Sequence, residues 1–116
     1  MSAPTSAPRG SGRGGPLRVR VEVLSWFNKF VGGPGTGEVT LNEEVEPGAT
    51  VRTVLGRLTA RYTQLGDALW DPGSRREIGD NLEVMVNNAV LGVTHDLDSE
   101  VLDGDRITIL GQYMGG

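Results

Sequence analysis

The sequence predicts an α+β fold: a mixed sheet of four to five strands with one main helix packed across one face. Three observations carry that expectation. Two runs of alternating apolar and polar residues open the foldable part, one long run at helical spacing follows, and further strand-like runs close the chain. No internal repeat interrupts this order.

The first strand begins at Leu17. Val19, Val21 and Val23 alternate with Arg18, Arg20 and Glu22, and period two means a strand with one wet face. Ser25 to Gly37 ends in GGPGTG and reads as a long, mobile turn. Val39, Leu41 and Val45 then alternate with Glu38, Thr40 and Glu44, which makes a second strand in a hairpin closed by Glu46-Pro47-Gly48. From Thr50 the period changes. Val51, Val54, Leu55, Leu58, Tyr62 and Leu65 form one helical stripe. Thr50 is the natural N-cap, and Gly66 stands where a glycine just past the helix end belongs. Gly56 inside that helix costs ~1 kcal/mol against Ala, a cost that a close approach to the sheet would explain.

Residues 67–81 read as a polar connection anchored by Trp70 and Ile78. A third strand places Leu82, Val84 and Val86 on one face and Glu83 and Met85 on the other. Asn87-Asn88 is a turn signal, and Val90, Leu91 and Val93 make a short fourth strand. Asp103-Gly104-Asp105 is a tight turn before a final strand from Arg106 to Leu110, with Ile107 and Ile109 inward.

Composition narrows the function. A chain of 116 residues makes one ordinary domain. Residues 1–16 carry almost only Ser, Ala, Pro, Gly and Arg, too little apolar surface to offset the entropy of ordering, so they are expected to be a disordered N-terminal tail. The domain then spans 17–110, and 111–116 form a flexible C-terminal tail. There is no cysteine, which excludes disulfides, thiolate metal sites, a Cys nucleophile and any sulfur carried on a side-chain thiol. One histidine, His95, excludes a His-cluster metal site. A net charge of −4 disfavours nucleic acid as a partner, and the two arginines of RGSGRGG give little phosphate affinity. No apolar run approaches the ~20 residues that span a membrane, and no signal-peptide core opens the chain, so the cytoplasm is the default location. Such a domain is poorly equipped to be an enzyme, and no catalytic residue is assigned.

Several features have plain readings. GGPGTG, at 32–37, lacks the Lys-Ser/Thr ending of a phosphate loop and reads as a hairpin loop. Asp96, Asp98, Glu100, Asp103 and Asp105 lack calcium-loop spacing and read as turn-forming carboxylates, so no metal site is assigned. His95 is a loop residue beside Asp96, and Trp26, Phe27 and Phe30 are loop anchors. Met85 and Leu110 fall on the face opposite the helix, where exposed apolar residues mark a candidate partner-docking surface.

The hairpin, the helix start ATVRTVLGRL, the strand LEVMVNN and the run VLDGDRITIL before a terminal Gly-Gly together resemble the β-grasp proteins of the ubiquitin-like sulfur-carrier family. That group includes the molybdopterin synthase small subunit, the thiamin and cysteine sulfur carriers and the ubiquitin-related modifiers. The resemblance covers 17–116. Asp71, Gly73, Arg76 and Ile78 before the third strand look most like the longer cysteine-biosynthesis and archaeal-modifier members. Where molybdopterin subunits carry prolines before the glycine pair, this chain has Gly111, Gln112, Tyr113 and Met114.

The resemblance implies that Gly116 is the reacting residue. A terminal carboxylate, pKa ~3.3–3.7, is ionised at neutral pH and can attack the α-phosphate of ATP. A partner adenylating enzyme must supply the ATP site; this chain binds no cofactor of its own. A sulfur donor then yields a thiocarboxylate for a sulfur-accepting enzyme, or target protein lysines capture the acyl group. Without a Cβ, Gly115 and Gly116 can thread a narrow channel. Gly111, Gln112, Tyr113, Met114 and Gly115 carry the terminus into the partner's active site, up to ~20 Å from the sheet if extended. From another class, the chain is a non-covalent interaction module whose terminal glycines are incidental.

Overall fold

The computed structural model describes residues 15–111. The expected disorder of the N-terminal tail therefore falls almost wholly outside the described residues, as does the C-terminal tail beyond Gly111.

The first strand, β1 (Leu17–Leu24), pairs antiparallel with β2 (Glu38–Val45) in the predicted hairpin. Later come β5 (Leu82–Val86), a two-residue β6 (Ala89–Val90) and β7 (Arg106–Gly111). The sheet order is β2-β1-β7-β5-β6, so the last strand lies in the centre. It runs parallel to β1 and antiparallel to β5. Val19, Val21, Val23, Val84, Val86, Ile107 and Ile109 all turn inward and are buried. They meet Val51, Val54, Leu55 and Leu58 of α1 (Val51–Arg61) in a single core. Each of these side chains contributes ~1.5–3 kcal/mol when fully buried. This is the β-grasp arrangement, a mixed five-stranded sheet with its main helix across one face.

Thr50 caps α1 as predicted. Its hydroxyl accepts from the Thr53 amide at 3.2 Å, and the Thr53 hydroxyl accepts from the Thr50 amide at 3.1 Å. Two neighbouring donors at the helix start are thus satisfied reciprocally.

Five local expectations are corrected. The helix does not run unbroken to Leu65. It stops at Tyr62 (φ −115°, ψ 82°) and restarts as α2 (Thr63–Leu69), with Gly66 buried inside α2 instead of past its end. Tyr62 and Thr63 are an aromatic and a β-branched residue of weak helix propensity, and after the break Leu65 and Leu69 are both fully buried. The 67–81 connection is also no simple polar loop. It holds the end of α2 and a hairpin of β3 (Trp70–Asp71) and β4 (Ser74–Ile78), in which Trp70 pairs with Ile78, the two residues expected to anchor it. Trp70 donates through Nε1 to Thr59 Oγ1 at 3.0 Å, and Thr59 donates to the Leu55 carbonyl at 2.9 Å, rooting the hairpin on α1.

The fourth strand keeps only Ala89 and Val90. Gly92 (φ +102°) turns the chain away, and Val93 is left exposed. Finally, Ser25–Gly37 is not a loose turn. Ser25–Val31 is a 3-10 helix that buries Phe27, Asn28 and Val31. Asn28 donates to the Thr36 carbonyl at 2.9 Å and accepts from the Gly35 amide at 2.6 Å, so one buried amide organises the glycine-rich stretch. Gly56 has no neighbour within 4 Å of where a Cβ would stand, and the expected close approach to the sheet is absent.

Candidate functional site

The parallel pairing of β1 with β7 decides where the chain leaves the sheet. Val23 lies opposite Ile109, so parallel strands deliver their C-terminal ends to the same end of the sheet. The 3-10 helix that follows β1 and Gly111, the last residue of β7, therefore lie side by side. Gly111 pairs with buried Leu82 and shares its inner face. A Cβ on Gly111 would stand 2.9 Å from Phe27 Cζ and 3.0 Å from Cε2. The Phe27 ring is buried against the root of the C-terminal segment, and only glycine leaves room for it.

Trp26 lies on Phe27 with ring centroids 4.1 Å apart, and edge-on to Phe30 at 5.8 Å. Lys29 holds its ammonium 5.5 Å from the Trp26 centroid and 5.9 Å from that of Phe30. This aromatic turn holds one expected anchor, Phe27, and one half-buried residue, Phe30, but Trp26 is largely exposed.

The outer sheet face, away from α1, carries the other candidates. Met85 lies opposite Thr108 and Val90, and Leu110 lies opposite Glu83. Leu110 is thus a diagonal neighbour of Met85, within reach of long side chains. Both are half-buried, and Val90 beside them is exposed. Arg20, Glu22, Arg106 and Thr108 continue the face as a polar border. Gln112, Tyr113, Met114, Gly115 and Gly116 lie outside the described residues.

The remaining polar groups have local duties. Asp96 accepts from the Asp98 amide, Asp103 from the Arg18 amide, and Asp105 from Asn87 and the Leu102 amide. His95 meets the Thr94 hydroxyl at 2.9 Å. An open groove of about 440 Å³ lies between the start of α1, β4 and the 91–98 loop. Its Arg52 is already held by both oxygens of Asp98, at 2.9 and 3.2 Å. That hydrogen bond keeps the Asp98 carboxyl below its ordinary value and raises the Arg52 guanidinium, so the pair satisfies itself. Among the described residues no group of three or more His, Cys, Asp or Glu is arranged to hold a metal ion. No helix among them is long and apolar enough to cross a membrane.

Two polar residues escape a reading of the sequence. Glu43 lies opposite Val19 on the inner face of β2, buried, where Arg61 at the end of α1 grips both its carboxylate oxygens. Its position in phase with Leu41 and Val45 is the available signal. Asn28 has none, because a buried asparagine inside a 3-10 turn has no periodic signature.

No protein-family model matches the chain. The sulfur carrier protein CysO of Mycobacterium tuberculosis is 30% identical over 69 residues, which cover 60% of this chain and 74% of CysO. Its crystal structure superposes with a TM-score of 0.64 at 25% identity, covering 82% and 99% of the two chains. The small archaeal modifier protein 1 of Methanosarcina acetivorans gives 0.67 at 23% identity, covering 89% of this chain and 100% of that one. A chain of the Amycolatopsis orientalis BexX/CysO complex gives 0.61 at 26% identity, covering 84% and 99%.

Proposed function

This chain belongs to the ubiquitin-like sulfur-carrier family, and on that footing we propose that its Gly116 carboxylate is the group that reacts, activated by a partner adenylating enzyme and converted to a thiocarboxylate. The single observation that carries the reading is the kinship with CysO, a sulfur carrier, combined with a chain whose central strand opens directly into a tail ending Gly115-Gly116.

The chemistry runs as two substitutions. A Gly116 carboxylate oxygen attacks the α-phosphorus of ATP, the bond to the β-phosphate oxygen breaks, and pyrophosphate leaves. A sulfide from the sulfur donor attacks the acyl carbonyl of the resulting adenylate, the bond to the phosphate oxygen breaks, and AMP leaves. The chain's own contribution is positional. The sheet fixes Gly111, and five further residues follow it in the sequence up to the Gly116 carboxylate. The globular part docks through the outer face around Leu110 and Met85. The protein is the substrate of these steps and not their catalyst, and the cytoplasm is their setting. The solved BexX/CysO complex supports the idea that a carrier of this kind works by docking on a partner protein. Capture of the same adenylate by a target lysine, giving an amide, is the second route, favoured by the fold shared with a small archaeal modifier. We assign 1–16 and 112–116 as segments flanking the 17–111 domain; Gly111, expected in the C-terminal tail, is instead the last residue of β7 and pairs with Leu82.

The test is mass spectrometry of the intact protein after incubation with an adenylating enzyme of the ubiquitin-activating type from the host organism, ATP and sulfide. The expected gain is ~16 Da, one terminal oxygen replaced by sulfur on the ionised carboxylate. Deleting Gly116 should abolish it. A protein that stays unmodified with every such enzyme, or whose biological role survives deletion of Gly116, is a non-covalent module instead.

A further inference from the structure

We propose that the exposed aromatic turn formed by Trp26, Lys29 and Phe30 is a second docking element, gripped by the enzyme that adenylates the C-terminus. The proposal rests on the reading of Gly116 as the reacting group.

The argument is one of reach. Gly111 is fixed in the sheet and five residues follow it. Fully extended they span about 17 Å. Any enzyme that holds the terminal carboxylate must therefore bring its surface down around Gly111. What borders Gly111 on its inner side is Phe27, and Trp26 lies tilted against Phe27. A partner that takes the tail covers this turn.

The turn is built to be covered. Trp26 is 52% exposed, although neighbouring Phe27 is 2% exposed and has already closed the core at this end. The indole thus adds little to the core and presents a large apolar face to water. Trp is the residue most enriched among those that carry binding energy at interfaces. The ammonium of Lys29 rests over the Trp26 and Phe30 rings and forms no ion pair among the described residues. The matching surface is an apolar recess for the indole with a carboxylate on its rim, facing Lys29. The outer face around Leu110 and this turn flank the root of the tail from two sides.

Adenylation kinetics, read as pyrophosphate release from ATP, test this on the full chain with each purified adenylating enzyme of the ubiquitin-activating type from the host organism. Trp26→Ser and Lys29→Glu should each raise KM for the carrier by about tenfold or more, as for central interface residues, with kcat near that of the wild type, because the tail that enters the active site is untouched. Lys29→Arg should restore KM. Both side chains are exposed, so melting temperatures stay close to wild type and the effect is not one of folding. Wild-type release together with unchanged KM in Trp26→Ser and Lys29→Glu overturns this proposal and leaves the Gly116 reading standing. No release from the wild type with any of these enzymes overturns both.

Discussion

At the scale of single residues, two glycines with the same lack of a side chain have opposite reasons for it. Gly56 lies in α1 with open space where a Cβ would be, so its flexibility is a cost with no packing return. Gly56→Ala should stabilise the fold by ~1 kcal/mol, seen as a rise in melting temperature on the order of 4 °C for a domain of this size. Gly111 faces the buried Phe27 ring, and an added Cβ would lie 2.9 Å from its nearest carbon. Gly111→Ala should force the ring out of its place and lower stability by ~1–3 kcal/mol, the usual cost of overpacking. Thermal denaturation of the two variants checks both signs at once. The sequence shows both glycines equally plainly and says nothing of which one is crowded, because crowding comes from Phe27, 84 positions earlier in the chain.

At the scale of elements, the strands and the start of α1 follow from local pattern, and the irregular turns do not. The alternation in Leu17–Leu24 and Leu82–Val86 and the Thr50 cap are nearest-neighbour features, read from a few consecutive residues. The 3-10 helix at Ser25–Val31 depends instead on Asn28 reaching Gly35 and Thr36 across the loop. Asn28→Ala removes both bonds and leaves a void at a buried side chain, while the Thr36 carbonyl and Gly35 amide lose their partner. It should cost ~1–3 kcal/mol, and hydrogen exchange at the Gly35 amide should accelerate more than at Val21 in the core of β1. Equal acceleration at both sites would show that the loop is not organised separately by Asn28. The Trp70–Ile78 hairpin is illegible in the sequence for a related reason. Its strands are short and polar, and what roots it is the Trp70–Thr59 bond to another element.

At the scale of the whole molecule, the central position of β7 brings Gly111, Leu110 on the outer face and the aromatic turn to one end. The one lysine of the chain, Lys29, lies in the same 3-10 turn as Phe27, the residue that packs on Gly111. If the protein is joined to targets through Gly116, chains built on itself would have to use Lys29 or the N-terminal amine. Single attachments to other proteins are therefore expected, read as discrete one-step mass shifts on denaturing gels. Ladders that persist in a Lys29→Arg variant with a blocked N-terminus would refute this.

The sequence by itself determined the order of the main elements, the inward residues of β1, β5 and β7 and the cap of α1, since all of these depend on periods and short-range contacts. The terminal Gly-Gly also stands in the sequence, and with it the candidate reacting residue. Tertiary structure alone decided that Glu43 is buried against Arg61 and that Phe27 occupies the space beside Gly111. It alone decided that Trp26, left outside a core already closed by Phe27, stands exposed at the foot of the tail. Glu43 and Gly111 each owe their surroundings to a partner distant in the chain, and the parallel pairing of β7 with β1 is what brings Phe27 to Gly111.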